Sequence, residues 1–384
     1  MNGYFDANAT TPLCSEARAA LIEAMDHHWQ NPSSPYRSAA QVHVRLEQAR
    51  SNLAGLFQVN PDSVIFNSGA TEGNFSVFSY WRGLVARDAK IAVSSIEHPS
   101  VLENARQLFG ESLVEMPVDE SGRVALSAIE DAVAAGATFI SLMAANNETG
   151  VLQPWHDALE ICRQKQIALH VDASQWVGRE PLVGLAEADF VTACAHKFGG
   201  PKGAGFVLVR NVFSSFAGQR GGSQENDHRA GTENFPAIAA MVTALQTREA
   251  QREATNQSWL RGREQFLKTI RAGIPELVFW GDNAPRLANT VSLCLPKGEN
   301  SRWVRLLDQR GFDVSTGSAC ATGQAGPSHV LAAMAVSPEQ ARQTIRVSAL
   351  ATTLESDWQA LGEALVAVWQ TINEPPTQSQ VIEV

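Results

Sequence analysis

Three short stretches carry residues whose types and spacing can do chemistry together. Asn147 lies in AANNETG, Asp172 and Gln175 lie in HVDASQ, and Lys197 lies in CAHKFGGPKG. Each follows a short apolar run of the kind that forms a buried strand, so the polar groups fall at strand ends. An amine can hold an aldehyde as a Schiff base, and a carboxylate can keep a pyridine nitrogen protonated so that the ring accepts electrons. Lys197 and Asp172 are placed for those two roles, and Gln175 can donate to a ring hydroxyl oxygen. A lone strand-end Asp reads as a helix cap, and a lone Lys as a solvated charge. The two together, followed by the Gly-rich PKGAG, read as a site for pyridoxal 5'-phosphate (PLP) on Lys197.

A phosphate needs backbone N–H groups at a helix start. NSGATEGN supplies a Gly-containing turn with Ala70 and Thr71 at the head of a helix, although an ordinary capping turn looks similar. His196 adds a potential donor beside the lysine. His98, in IEHPSV, sits at a strand-to-helix junction where its ring can stack on a cofactor and move protons near neutral pH.

Cys320 stands apart from the other cysteines. Its surroundings, VSTGSACATGQAGPSHV, are rich in Gly, Ser and Ala and predict an exposed loop rather than a packed element. That suits a thiolate nucleophile which must leave carrying its cargo. The remaining four of the five cysteines, Cys14, Cys162, Cys194 and Cys294, are scattered without CxxC spacing. They predict neither a disulfide framework nor a metal site.

The elements around these residues follow from periodicity. Strands are expected at Ser63–Phe66, Lys90–Ser94, Thr138–Met143, Ala168–Val171 and Phe190–Thr192. Helices are expected at Thr71–Leu84, Pro99–Phe109 and Pro154–Lys165. The alternation predicts an α/β fold with a mostly parallel, helix-covered sheet, whose ligands gather at the carboxyl ends of strands. From about Gln257 the pattern changes to a smaller α+β region, with helices at Trp259–Ala272, Arg302–Arg310 and Leu354–Ile372. The expected division is a large domain over 15–256, a small one from 1–14 and 257–372, and a flexible tail at 373–384.

Bulk properties narrow the function classes. The 384 residues suffice for a large and a small domain. A net charge of −10 argues against a broad nucleic-acid surface, and no signal or membrane-span pattern is visible, so a cytoplasmic protein is expected.

The chain resembles the cysteine desulfurases of the class V aminotransferase family, in the group serving nitrogenase and iron–sulfur cluster assembly. The resemblance runs from YFDANATTP to TIRVSA through NPSS (Asn31–Ser34), SGATEGN, EHPSV, NNETG, HVDASQ, AHKFGGPKG, HRAGTEN and STGSAC, in that order. It implies a fold type I PLP enzyme that takes sulfur from L-cysteine, giving L-alanine and a persulfide on Cys320 for an acceptor such as an iron–sulfur scaffold or thiolation enzyme. It further implies that Lys197 bears the cofactor, with Asp172 at the pyridinium, Gln175 at the phenolate and His98 over the ring. Asn147 would lie beside cofactor and substrate. Ala70, Thr71, His196 and the position of Cys194 would hold the phosphate. Thr232 would reach the cofactor of a second subunit in a homodimer. Arg346, with Asn31, would hold the substrate carboxylate, as a guanidinium can do bidentately.

Four departures accompany the resemblance. Cys194 replaces a usual Ser, and a thiol is a poor donor. Tyr36 replaces a His after NPSS, Asn226 replaces an Arg, and Ala349-Leu350-Ala351 replaces Leu-Gly-Arg. Two other readings stand beside it: a class V lyase such as selenocysteine lyase, which needs no thiol nucleophile and would survive loss of Cys320, and a non-catalytic assembly partner, against which Lys197, Asp172, His98 and Cys320 together speak.

Overall fold

The computed structural model describes residues 3–317 and 328–373. Cys320 lies outside the described residues, as does the tail beyond 373. The described chain forms two compact units.

The larger unit comprises 9–147 and 151–252. Its elements are α1 (Ser15–His27), α2 (Arg37–Phe57), β1 (Val64–Asn67), α3 (Ala70–Leu84), β2 (Lys90–Ser94), α4 (Pro99–Phe109) and β3 (Leu113–Met116). They continue with α5 (Leu126–Ala134), β4 (Ala137–Ser141), α6 (Trp155–Lys165), β5 (Ala168–Asp172), β6 (Phe190–Cys194), β7 (Gly205–Val209) and the start of α7 (Phe235–Gly273). The seven strands form one sheet in the order β1-β7-β6-β5-β4-β2-β3. Pairs β2–β3, β2–β4, β4–β5 and β5–β6 are parallel, while β7 is antiparallel to both its neighbours. The remaining six strands therefore run one way, and their carboxyl ends share an edge. That edge receives the loops after β1, β2, β4, β5 and β6. Residues of the central strands β4, β5 and β6 are almost all buried, which is why they read as apolar runs rather than alternating ones. An aromatic cluster of Phe78, Trp81, Phe139 and Phe190 packs α3 onto the sheet.

Pro99 starts α4 in its first turn, as expected, and the His98 side chain caps that helix by accepting from Ser100 N–H. Strand β7, absent from the sequence expectations, inserts between β1 and β6 as a hairpin-like return. Its apolar run GFVLV follows the glycine-rich loop directly, where local pattern alone marks only loop.

Among the described residues the smaller unit comprises 3–8, 148–150, 253–317 and 328–373. Here β8 (Val278–Phe279), β9 (Thr290–Cys294) and β10 (Thr344–Ser348) form an antiparallel sheet in the order β10-β9-β8. With it go α8 (Asn300–Asp308), α9 (His329–Ala333), α10 (Pro338–Arg342) and α11 (Glu355–Asn373). Its core is built on Phe5, Phe266, Trp303 and Trp358, and the Trp259 indole donates to Leu350 O at 2.7 Å. Helix α7 spans 39 residues and runs through Gln257 without interruption, so the helix expected at Trp259–Ala272 is its second half.

Candidate active site

The site residues of the larger unit converge on the shared strand edge. Asp172 ends β5, and Lys197 lies three residues beyond the end of β6, the parallel neighbour of β5. Asp172 is buried; its Oδ1 accepts from Ser174 N–H at 2.9 Å and its Oδ2 from Asn74 Nδ2 at 2.9 Å. The Lys197 amine donates to Ala9 O at 2.8 Å. Gln175 is buried, and its side-chain oxygen accepts from Arg179 Nη1. Arg179 also donates to Gln175 O at 3.1 Å and to Lys197 O at 3.4 Å, tying the two loops together. With its oxygen held by a guanidinium, the Gln175 amide turns its NH₂ end toward other partners. It is therefore a donor, which is the polarity a phenolate oxygen needs.

Ala70 and Thr71 open α3, with Thr71 exposed. Gly69 precedes them at φ 144°, a conformation that disfavours any side chain. A Cβ on Gly205 of β7 would come within 2.6 Å of the Gly69 Cα, so both glycines are required for this turn to seat on the sheet. The turn leaves the first N–H groups of α3 at the strand edge, an anion-binding arrangement. Cys194 is buried beside it, against the Ala70 N–H and the Ser174 hydroxyl. Burial pushes its thiol pKa up, opposed by the Lys197 charge, and so favours the neutral thiol.

His196 is half-buried, its Nδ1 3.2 Å from Thr10 Oγ1, and its carbonyl accepts from Thr11 N–H and Thr11 Oγ1. Burial and then the charges of Lys197, Lys202, Arg179 and His98 push its pKa down to about 4. It is neutral at neutral pH, a hydrogen-bonding group rather than a cation. His98 lies close enough to contribute to that shift; its Nδ1 is 2.8 Å from Ser100 Oγ. Beside it, Glu97 is wholly buried. Burial and then Asp172 raise its carboxyl pKa well above the ordinary value, against the bond it accepts from Met143 N–H at 2.5 Å.

Asn147 also lies on this edge, in the loop between β4 and α6. It is the half-buried last residue of a segment of the larger unit. Asn31 is exposed and its Oδ1 accepts from Ser33 N–H at 2.9 Å, the geometry of a turn former. Thr232 is exposed in the segment before α7, and Tyr36 is an exposed N-cap of α2. Asn226 has φ 54° in a turn beside Glu225, whose buried carboxylate pairs bidentately with Arg50 at 2.7 and 2.8 Å. In the smaller unit, Arg346 is buried in β10; it donates to Asp6 Oδ1 at 2.5 Å and to Gly317 O at 3.1 Å. Cys320 lies outside the described residues. Among the described residues, no group of three or more His, Cys, Asp or Glu could hold a metal ion, and no helix is long and apolar enough to cross a membrane.

Sequence reasoning missed Asn74, Ser100, Arg179 and Asp6. Arg179 carried a usable signal, since it lies four residues after Gln175 in a turn-forming stretch. Asn74 and Ser100 sat inside recognised motifs without an assigned role. Nothing local marks Asp6 as the partner of Arg346.

The residues fit PLP on the structure's own terms: one amine and one carboxylate on adjacent strand ends, an amide held as a donor, and the first N–H groups of a helix behind a glycine turn. Comparison with known proteins agrees. The family Aminotransferase class-V matches residues 3–361. "Cysteine desulfurase IscS" of Dictyoglomus turgidum is 33% identical over 357 residues, covering 92% of this chain and 91% of that protein. Among solved structures, a "NifS-like protein" superposes with a TM-score of 0.89 at 27% identity, covering 97% of this chain and 100% of its own. "SspA in complex with cysteine" superposes at 0.80 with 26% identity, covering 92% of this chain and 100% of its own. The strand-edge amine and carboxylate, the helix-covered parallel sheet and these relatives lead to one conclusion: the chain belongs to the class-V aminotransferase family, whose cysteine desulfurase members use PLP.

Proposed function

We propose that this protein is a PLP-dependent cysteine desulfurase, converting L-cysteine to L-alanine with the sulfur passed to Cys320 as a persulfide. The observation that carries the reading is the pairing of Asp172 and Lys197 at the ends of adjacent parallel strands, with the Gln175 amide held as a donor. The names of the relatives and the neighbour solved with cysteine support the substrate.

In this reading Lys197 would hold the cofactor aldehyde, with Asp172 at the pyridine nitrogen and Gln175 at the phenolate. The α3 N–H groups with Thr71 and His196 hold the phosphate, and Asn147 borders the substrate. Bound there, PLP supplies an electron sink that weakens the Cβ–S bond of cysteine. The Lys197 amine would take the substrate Cα proton, with His98 passing protons beside it. Arg346 holds the substrate carboxylate, with Asn31 a second candidate, and this requires Arg346 to share or exchange its Asp6 contact. The Cys320 thiolate attacks the substrate sulfur; the S–S bond forms as the C–S bond breaks, and the carbon takes a proton to become the methyl of alanine. The persulfide then serves a sulfur acceptor. Thr232, exposed in the larger unit, is free to meet a second copy in a homodimer.

Incubation with L-cysteine, quantifying alanine and sulfide for wild type and Cys320→Ala, tests the reading. Alanine made by wild type alone supports it. Alanine made equally by both assigns the chain to a lyase without a thiol nucleophile.

A further inference from the structure

Asn74 is completely buried on α3, and its Nδ2 makes two bonds, to Asp172 Oδ2 at 2.9 Å and to Ser100 Oγ at 3.0 Å. An ionised carboxylate only accepts, so the end of the amide facing Asp172 is the NH₂, and both its hydrogens are committed. Ser100 Oγ receives the second of them. The hydroxyl hydrogen is then left for the acceptor 2.8 Å away, His98 Nδ1. The Ser100 backbone N–H, which cannot accept, meets the same nitrogen at 3.1 Å. Two donors thus converge on Nδ1, and a proton placed there would face an N–H. The neutral ring carries its proton on Nε2 instead.

We propose that Asn74 and Ser100 are positioning residues which, anchored on Asp172, lock His98 in its Nε2–H tautomer. The direction runs one way: Asp172 orients Asn74, Asn74 orients the Ser100 hydroxyl, and the hydroxyl fixes the ring. No proton travels along this line, because the Asn74 amide does not ionise under these conditions; the coupling is one of orientation. The inference rests on the desulfurase reading for its consequence. Neutral His98 then presents a donor at Nε2 rather than a basic lone pair, and proton removal from substrate falls to the Lys197 amine. The helix-capping role of His98 does not account for the arrangement, since the Ser100 backbone N–H alone satisfies the cap, while the hydroxyl and Asn74 add a second, longer-range constraint.

The test uses the full-length, PLP-loaded protein labelled with ¹⁵N-histidine. Long-range ¹H–¹⁵N correlation spectra report which ring nitrogen is protonated, and His98 is identified by the signals lost in His98→Gln. Wild type is expected to show an unprotonated Nδ1 and a protonated Nε2. Loss of one hydrogen bond in Ser100→Ala should raise the ratio of Nδ1–H to Nε2–H forms about fivefold, and Ser100→Thr should restore it. Ser100→Cys, with a weak donor of similar size, provides a second variant with an intermediate ratio. A wild-type Nδ1–H ring, or an unchanged ratio in both Ala and Cys variants, overturns the proposal. Borohydride reduction and peptide mapping of the same samples separates the two readings. Label on Lys197 with an unchanged ratio sinks this inference alone, whereas wild-type label on another lysine sinks the cofactor assignment and leaves the tautomer measurement standing.

Discussion

The strand edge of the larger unit and the Arg346 region of the smaller unit hold their polar groups in different ways. At the strand edge several constraints are short in sequence: His98 to Ser100, Asp172 to Ser174, Gln175 to Arg179. Each is a turn or cap in which a side chain meets backbone or a side chain within four residues. In the smaller unit Arg346 is held by Asp6, 340 residues away, and by Gly317 O, 29 residues away. Local constraints travel with the motif, so the motif reveals them. A distant ion pair is set by chain topology, and its partner is invisible until the fold brings it close. The strand edge also has long-range contacts, Asn74 lying 98 residues from Asp172 and Ala9, whose carbonyl accepts from the Lys197 amine, 188 residues from it, and no local pattern marks either partner.

The comparison can be broken most decisively at Lys197. Lys197→Ala should abolish both alanine production and the visible absorbance of the lysine-bound cofactor, and a retained absorbance would move the site to another lysine. Next comes Cys320→Ala, which should reduce alanine production to background while the spectral response to L-cysteine persists. Among the other cysteines, burial raises the pKa of Cys162 to about 12 and also raises those of Cys194, Cys294 and the half-buried Cys14. None of these thiols is thereby favoured as a thiolate, so mild alkylation should inactivate by modifying Cys320 first.

Asp6→Asn probes the long-range side of the comparison. Removing the carboxylate from the buried Arg346 should cost on the order of 3 kcal/mol, read as a lower urea midpoint. An unchanged midpoint would show that Gly317 O and the surrounding strand suffice to hold the arginine.

A pH effect comes from His170, wholly buried between Ser141 Oγ and Thr192 Oγ1. Burial pushes its pKa down to about 4, against the Asp172 charge. Its folded-state value lies below the ordinary 6.5, so between those values the unfolded chain binds the extra proton. The contribution to stability is present above pH 6.5 and is lost progressively as pH falls toward 4. A His170→Gln variant with the same acid-side slope as wild type would remove His170 as its source. The smallest effect is expected for Cys194→Ser, which exchanges a thiol for a better donor beside the Ala70 N–H. PLP should be retained as well or better, by about 1 kcal/mol, in a competition assay. Faster cofactor loss in that variant would separate Cys194 from the phosphate site.

The alternation of buried strands and capped helices was legible because burial on both faces leaves unbroken apolar runs, and proline marks helix starts. The strand-end positions of Lys197, Asp172, Gln175 and His98 were legible for a related reason: each follows such a run, where a loop must leave the sheet. Strand β7 was hidden by the glycine-rich loop before it, and the first half of α7 by its junction with the loop carrying Thr232.

By itself the amino-acid sequence determined which chemical groups stand at the strand ends, because side-chain type and strand periodicity are local properties. Tertiary structure alone decided how those groups are oriented. The buried amide of Asn74 spans Asp172 and Ser100, Arg179 turns the Gln175 amide into a donor, and Asp6 closes on Arg346. Hydrogen-bond direction depends on which acceptor lies within about 3 Å in space, and residue order along the chain does not encode that distance.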